Sequence, residues 1–431
     1  MATIAQGGDP PEYALAFESA FLATGHDLSP YRLPRESLSD RAIIYREGDS
    51  PFPGGLPGLI ADSFPDSWGR LLQRVTYPGL KTLLGQLAAI GARGPGALTY
   101  EPILDSSAGE AVTANLSRLA EEAARLSKTP AQLTPQTVDR ILAEGGSSLG
   151  GAQPKITAYL PDGETLLDLR EIQTGGQLPS GFSPCILKFS PLDDEGGGTV
   201  EYAFSEMARR AGLNVAQSCL VNDGHRRHFA TFRFDRFRQA DGTMGRRHVH
   251  SLSGMLHQRA SAGGIDYDDF IRLSRKLTET AGAEECFRRA VFNLLSTNRD
   301  DHGRNHAFVY DEQTRNWALS PAFDMNPNVS NVLIALTWLR STAIPTSFSD
   351  VLRLAESGGI PRARARSIYD QVETAIADWL RIAKEAGVPL QIAQIWQKDI
   401  VGQTRALRED AASLASRSGR TRSLKSSRPA K

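Results

Sequence analysis

The chain has 431 residues, enough for two or three domains, and its 40% apolar and 23% charged content is that of a soluble globular protein. Lysine plus arginine and aspartate plus glutamate both number 49, so the whole-chain charge gives no argument for nucleic-acid or membrane binding. No apolar run is long enough for a membrane span, Met1 to Gly8 lacks the marks of a signal peptide, and the three scattered cysteines Cys185, Cys219 and Cys286 offer no zinc spacing and suit a reducing cytosol.

Residues 1 to about 105 are rich in Pro and Gly. Ile43-Ile44-Tyr45 reads as a strand and Pro51 to Gly58 as a loop. Asp66 caps a helix that runs to Arg74. Residues 112–127 show helical periodicity at Leu116, Leu119, Ala120, Ala123 and Leu126, and Thr134 to Leu142 gives a further short helix. A glycine loop, Glu144 to Lys155, leads into a strand at Ile156–Leu160, with a turn at Pro161-Asp162-Gly163. Cys185–Phe189 is a second strand. Thr199 caps a helix from Val200 to Ala211 that Gly212 stops, and Phe229–Phe234 is a third strand. From about 265 the pattern is mostly helical, with C-terminal helices at 367–386 and 390–415. The order suits a small sheet-rich lobe followed by a helical lobe. Arg417 to Lys431 carries six basic residues and no acid among Ser, Gly and Pro, and reads as a solvated, disordered tail.

The chemistry concentrates in Thr297-Asn298-Arg299-Asp300-Asp301-His302-Gly303-Arg304-Asn305, between the apolar runs Ala290–Leu295 and Ala307–Tyr310. Asp300 and Asn305 lie five residues apart, and Asp324 follows the next apolar run. Asp, four residues, Asn, then a further Asp is the order used in protein-kinase catalysis. The first Asp orients the attacking hydroxyl, and the Asn and second Asp hold magnesium. A hairpin with its turn at Asp311 to Asn316 would return Asp324 towards Asn305. Gly150 and Gly151 would let backbone N–H groups approach phosphates, although such a loop by itself also fits a hairpin or linker. Lys188 interrupts an apolar strand and could reach phosphate oxygens. Glu201 could pair with it or merely favour a helix dipole. A rival reading takes Asp300, His302 and His306 as zinc or manganese ligands of a metal-dependent hydrolase, which leaves Lys188 and the glycine loop unexplained.

These motifs resemble the HipA family, bacterial serine/threonine kinases that act as toxins in toxin–antitoxin pairs. The resemblance rests on Leu56 to Arg70 and Leu87 to Leu98 in the first part. In the second it rests on Ser148-Leu149-Gly150-Gly151-Ala152-Gln153-Pro154-Lys155, Asp300 to Asn305, and Ser320-Pro321-Ala322-Phe323-Asp324. It implies an α+β, two-lobed protein-kinase-like fold with an N-terminal subdomain (1–105), an N-lobe (106–240), a mostly helical C-lobe (241–416) and the basic tail (417–431). It implies ATP and magnesium as cofactors, with Asp300 as catalytic base and Asn305 and Asp324 as magnesium ligands. Lys188, Gly150, Gly151, Ala152, Gln153, Pro154, Lys155 and His302 would meet the nucleotide, with Asp324 beside it. Phe232, Arg233 and Phe234 stand at the adenine hinge, where the family often has Glu at the first position. Ser148, or Ser147 beside it, matches the autophosphorylated serine. The implied partners are a HipB-like helix-turn-helix antitoxin that brings DNA, and a translation-related protein substrate such as an aminoacyl-tRNA synthetase, in the cytoplasm and without a membrane. A catalytically inactive kinase-fold binding module remains the other alternative.

Overall fold

The structure is a computed structural model that describes residues 2–104, 112–128, 151–190, 196–259, 264–327, 336, 338, 345, 347–402, 404, 405 and 407. Two compact units emerge. One comprises 1–205, 215–260 and 303–324, and the other 206–214, 261–302 and 325–431.

The first unit begins with an antiparallel sheet of β1 (Ala2–Gly7), β2 (Glu12–Phe17) and β3 (Ile43–Tyr45). Residues alternate in and out along β2, so Tyr13, Leu15 and Phe17 face one core. Leu33, Leu56, Ile60, Phe64, Leu87 and Ile90 complete it. Four helices follow or flank this sheet: α1 (Ser19–Thr24), α2 (Gly58–Ala61), α3 (Ser67–Thr76) and α4 (Leu83–Ile90). α3 turns Trp68, Leu72 and Val75 into the core of a second, larger sheet. That sheet takes the order β4-β7-β5-β8-β10-β9-β6. Its members are β4 (Val112–Asn115), β5 (Lys155–Pro161), β6 (Leu166–Asp168), β7 (Glu171–Thr174), β8 (Phe182–Lys188), β9 (Ser218–Asn222) and β10 (Arg227–Phe232). α5 (Leu116–Lys128) covers it through Leu116, Leu119, Ala123 and Leu126, the stripe its periodicity requires.

Local pattern and structure part at Val112–Asn115. These residues carry on the helical spacing, yet they form β4 because β7 offers a free edge, with Val112 opposite Thr174 and Asn115 opposite Glu171. The helix α6 (Gly197–Arg210) starts earlier than Thr199, whose hydroxyl donates to Gly196 O at 2.5 Å instead of capping. Its first turn crosses β10 so closely that a Cβ on Gly198 would stand 2.5 Å from Phe229 N, which only glycine permits. The unit closes with β11 (Arg236–Arg238) and β12 (Met244–Arg246), then β13 (His248–Ser251), α7 (Leu252–Leu256), and the hairpin of β14 (Ala307–Asp311) and β15 (Asn316–Leu319). The hairpin forms where the sequence places it. The Asp311 carboxylate accepts from Gln313 N and Thr314 N at 2.8 and 3.1 Å and fixes the turn.

The second unit is helical among its described residues. α8 (Tyr267–Leu295) is capped by Asp266, which accepts from Asp269 N, and it is irregular at Thr278 and Glu279. α9 (Phe348–Ser357), α10 (Arg362–Ala377) and α11 (Trp379–Ala386) follow. The single helix expected over 367–386 is broken at Asp378, whose N–H donates to Ala375 O at 3.2 Å in a tightened turn. The break carries Trp379 fully inside, where its indole N–H donates to Ala393 O at 2.9 Å. Residues 390–402 are helical, while the expected helix at 134–142 and the tail at 417–431 lie outside the described residues. No helix among the described residues is long and apolar enough to cross a membrane.

Candidate functional site

Lys188 ends β8 and is buried, 5% exposed. α6 brings Glu201 against it, and Asp324 reaches it from beyond β15. The ammonium donates to Glu201 Oε1 and, at 2.5 Å, to Asp324 Oδ1. Burial alone would push the lysine down, but the two carboxylates outweigh it and hold Lys188 above its ordinary range. Burial raises Glu201 in turn, against the pull of Lys188. Asp324 adopts a left-handed φ of 56°, a conformation that costs about 1 kcal/mol or more outside glycine and that collects at functional sites. Its side chain keeps 24% exposure.

Lys155 begins β5 directly opposite Lys188 in the antiparallel register. Burial and the neighbouring Lys188 charge hold it below the ordinary lysine range, with Asp324, Glu201 and Asp66 opposing. Gly151 has φ +87°, a conformation that favours glycine, and a Cβ there would lie 2.4 Å from Lys155 Nζ and displace the end of that side chain. Ala152 is exposed and Pro154 half-buried, while Gln153 Nε2 donates to Phe189 O at 3.3 Å. Gly150, Ser147 and Ser148 lie outside the described residues.

The first of the two signatures near the N-terminus proves to be part of this neighbourhood. Asp66 holds the N-cap position of α3 but makes no cap hydrogen bond. Its carboxylate instead accepts from Gly151 N at 2.9 Å and from the Arg304 guanidinium. Trp68, two residues on, donates from its indole to Lys155 O at 2.8 Å. The second signature packs beside Phe232 to Phe234. Asp235 accepts from Gly96 N at 2.8 Å and is gripped by Arg233 and Arg236 at 2.7 Å each. Both guanidiniums also donate to Gly94 O. Although burial favours its neutral form, the two arginines hold Asp235 well below the usual carboxylate range. Arg236 is lowered to about 9 by burial and by Arg233. Phe232 N and Arg233 N already donate to Gln217 O and Pro184 O at 2.8 and 2.9 Å. A cavity of about 360 Å³ borders Phe232, Arg233, Phe234, Pro184, Gln217 and Pro321.

The polar loop contributes to both units. In the helical unit, Asp301 is buried and accepts from Tyr267 OH at 2.5 Å and Asn293 Nδ2 at 3.4 Å. Burial lifts it to about 7, against these hydrogen bonds and Arg299. Asp300 differs. Its side chain is 32% exposed, and its backbone N–H donates to Asn298 Oδ1 at 3.1 Å. His302 Nε2 stands 3.9 Å from Asp300 Oδ1, and its Nδ1 is buried with no hydrogen-bond partner among the described residues. In the sheet unit, Ser253 N donates to Gly303 O at 2.9 Å, and half-buried Asn305 stands just before β14.

Two other constellations do not make reactive sites. Among the described residues, no three His, Cys, Asp or Glu side chains are placed to hold a metal ion, so the trio Asp300, His302 and His306 gains no support as a zinc centre. Ser29, His250 and Asp62 line up as a Ser–His–Asp relay, with links of 3.0 and 2.6 Å. Ser29 is fully buried, so no substrate can reach its hydroxyl, and the relay serves to hold β13. Sequence reasoning missed Asp66, Trp68, Asp235 and Arg304 as neighbours of the site. Asp66 and Trp68 lie inside the first signature and Arg304 inside the polar loop, while Asp235 stands just after Phe234 with no motif of its own.

A sheet that buries a lysine–glutamate pair, a positive-φ aspartate beside it, and a separate helical unit define an α+β protein with a kinase-like fold. Residues 1–101 match the HipA N-terminal domain and residues 147–380 the HipA-like C-terminal domain. The chain belongs to the HipA family. It is 30% identical over 191 residues to "Putative kinase Y4mE" of Sinorhizobium fredii, across 42% of this chain and 43% of that protein. It is 27% identical over 194 residues to a Haemophilus influenzae protein named "Putative kinase", across 42% and 52%. The chain thus matches about half the length of these curated relatives. HipA from the Shewanella oneidensis HipA, HipB and operator DNA complex aligns over 95% of both chains, with a TM-score of 0.65 at 17% identity, a likeness of fold.

Proposed function

We propose that the chain is an ATP-dependent serine/threonine protein kinase of the HipA toxin type. The observation that carries this reading is Lys188, buried between Glu201 and Asp324, which come from 13 and 136 residues further along the chain. ATP with magnesium supplies the transferable phosphoryl group and the charge that bridges its phosphates. The residues present suit that pair: two buried lysines in register, a partly exposed Asp324 carboxylate, and a buried His302 nitrogen with no hydrogen-bond partner among the described residues. Glu201 aims the Lys188 ammonium at the phosphates. The stretch from Gly150 to Lys155, Pro154 apart, offers backbone N–H groups, Phe232 to Phe234 border the base, and His302 donates or accepts from Nδ1. Asn305 and Asp324 offer the hard oxygen donors that magnesium prefers. Asp300 orients the acceptor hydroxyl and takes its proton.

Ser148, or Ser147, is the autophosphorylation site in this reading. Phosphate there adds up to about two negative charges to a loop that must receive phosphates, which repels nucleotide and switches the enzyme off. The partner is a HipB-like helix-turn-helix antitoxin through which DNA is met, in keeping with the neighbour solved with HipB and operator DNA. The protein substrate belongs to translation, with aminoacyl-tRNA synthetases as first candidates. Three free, buried cysteines fit work in the cytoplasm. The functional parcels are 1–105, 106–240, 241–416 and 417–431.

The test is transfer from labelled ATP by wild type, Asp300→Asn and Asp324→Asn. Loss of a general base lowers the rate by about 10²–10⁴-fold, and both variants should fall into that range or below. Equal labelling of all three overturns the mechanism.

A further inference from the structure

A second polar cavity lies on the far side of Asp66 along α3. Ser67, Arg70, Gln73, Arg74, Leu80 and Gln86 line about 480 Å³, within the range of small-molecule pockets. Arg70 and Arg74 are four residues apart and so lie on one face of the helix. Both are exposed, and no side-chain hydrogen bond or ion pair joins either guanidinium to another described residue. Gln73 is 3% exposed, yet its Nε2 has no hydrogen-bond partner among the described residues. A buried donor left unmatched costs about 1–3 kcal/mol, and an acceptor brought by a ligand would remove that cost. No acid is among the described residues that line the cavity. Ser67, the first residue of the ten-residue α3, adds a hydroxyl at the positive end of the helix dipole.

We propose that this cavity binds a phosphorylated small molecule of about nucleotide size. The guanidiniums supply paired donors suited to phosphate oxygens, the Gln73 amide a third donor, and Leu80 an apolar wall for the rest of the ligand. The site is independent of the kinase reading, because none of its lining residues belongs to the Lys188 cluster.

The full chain is titrated calorimetrically with inorganic pyrophosphate and with AMP, as wild type and as Arg70→Ala/Arg74→Ala, with and without a saturating non-hydrolysable ATP analogue. Saturable binding to wild type that persists with the analogue, and that weakens at least tenfold in the double variant, is the expected result. Thermal midpoints of both proteins check folding, and the single exposed change Arg74→Glu, which should also weaken binding at least tenfold, replaces the double variant if that one unfolds. Absence of saturable binding to wild type, equal affinity in wild type and variant, or complete displacement by the analogue overturns the proposal. Tighter binding of a short single-stranded oligonucleotide than of either probe, lost with the same arginines, overturns the small-molecule assignment in favour of a nucleic-acid backbone.

Discussion

The sheet unit and the helical unit each bury carboxyl groups, and they treat them in opposite ways. Around Lys188, the acids Glu201 and Asp324 are paired with a cation whose own pKa is held high. Around Tyr267, Asp301 meets a phenol and a carboxamide, and burial lifts it to about 7. A buried carboxylate needs a counter-charge, whereas a buried carboxylic acid needs only hydrogen bonds. The first arrangement stores charge that a polyphosphate or metal can redistribute. The second forms a post, neutral below about pH 7, that fixes one end of the polar loop, while its neighbour Asp300 keeps 32% of its side chain exposed. The adjacent acids of this loop thus divide into a half-exposed group and a buried scaffold.

Removing the cation tests the contrast most severely. Lys188→Met removes the ammonium that Glu201 and Asp324 share, and chemical denaturation should register a loss of about 3–5 kcal/mol. A variant as stable as wild type would mean that solvent, not the lysine, carries those charges. Asp301→Asn tests the other side. Folded Asp301 keeps its proton up to about pH 7, whereas the unfolded side chain releases it near the ordinary value of about 4. The stability this carboxyl contributes is therefore complete below about pH 4 and falls as pH rises towards 7 and beyond, by up to a few kcal/mol. Unfolding curves from pH 4 to pH 8 should show a steeper decline in wild type than in Asp301→Asn, and parallel curves would refute a neutral Asp301.

Smaller effects are expected where the first signature meets the nucleotide loop. Asp66→Asn weakens the tie from Gly151 N and the pair with Arg304, both of them partly exposed, for about 1 kcal/mol. Steady-state kinetics should show KM for ATP rising severalfold with kcat little changed, and an unaltered KM would detach Asp66 from the loop. Trp68→Phe removes the indole bond to Lys155 O, again about 1 kcal/mol, and shrinks a buried ring. Its thermal midpoint should fall by a few degrees, and a fall as large as that of Lys188→Met would show that the ring's packing, not its N–H, supports β5.

Much of this contrast was legible in the chain. The hairpin of β14 and β15, the lysine inside an apolar strand, and the spacing of Asp300 to Asn305 all follow from local pattern, and family resemblance carried them to a fold. The singling out of Asp300 over Asp301 also began with spacing. The structure places Asp301 against Tyr267 and Asn293, far upstream in the chain, and no local pattern contains those partners. Val112–Asn115 read as helix because periodicity is blind to an open sheet edge. Asp66 read as a cap because the N-cap position favours that residue type, while the carboxylate was committed elsewhere.

The sequence by itself determined which chemical groups exist and how they are spaced: the Asp–Asn–Asp series, the glycine at 151, the strand that ends in Lys188, and the two signatures near the N-terminus. Such features are local, set by pleat, turn chemistry and backbone freedom over a few residues. Only the tertiary structure decided that Lys188 and Lys155 face each other across a register, that Glu201 and Asp324 share one ammonium, that Asp66 holds Gly151, and that Asp235 ties Arg233 and Arg236 to Gly96. Those outcomes depend on burial, and burial is settled by what the rest of the chain places on the other side of each group.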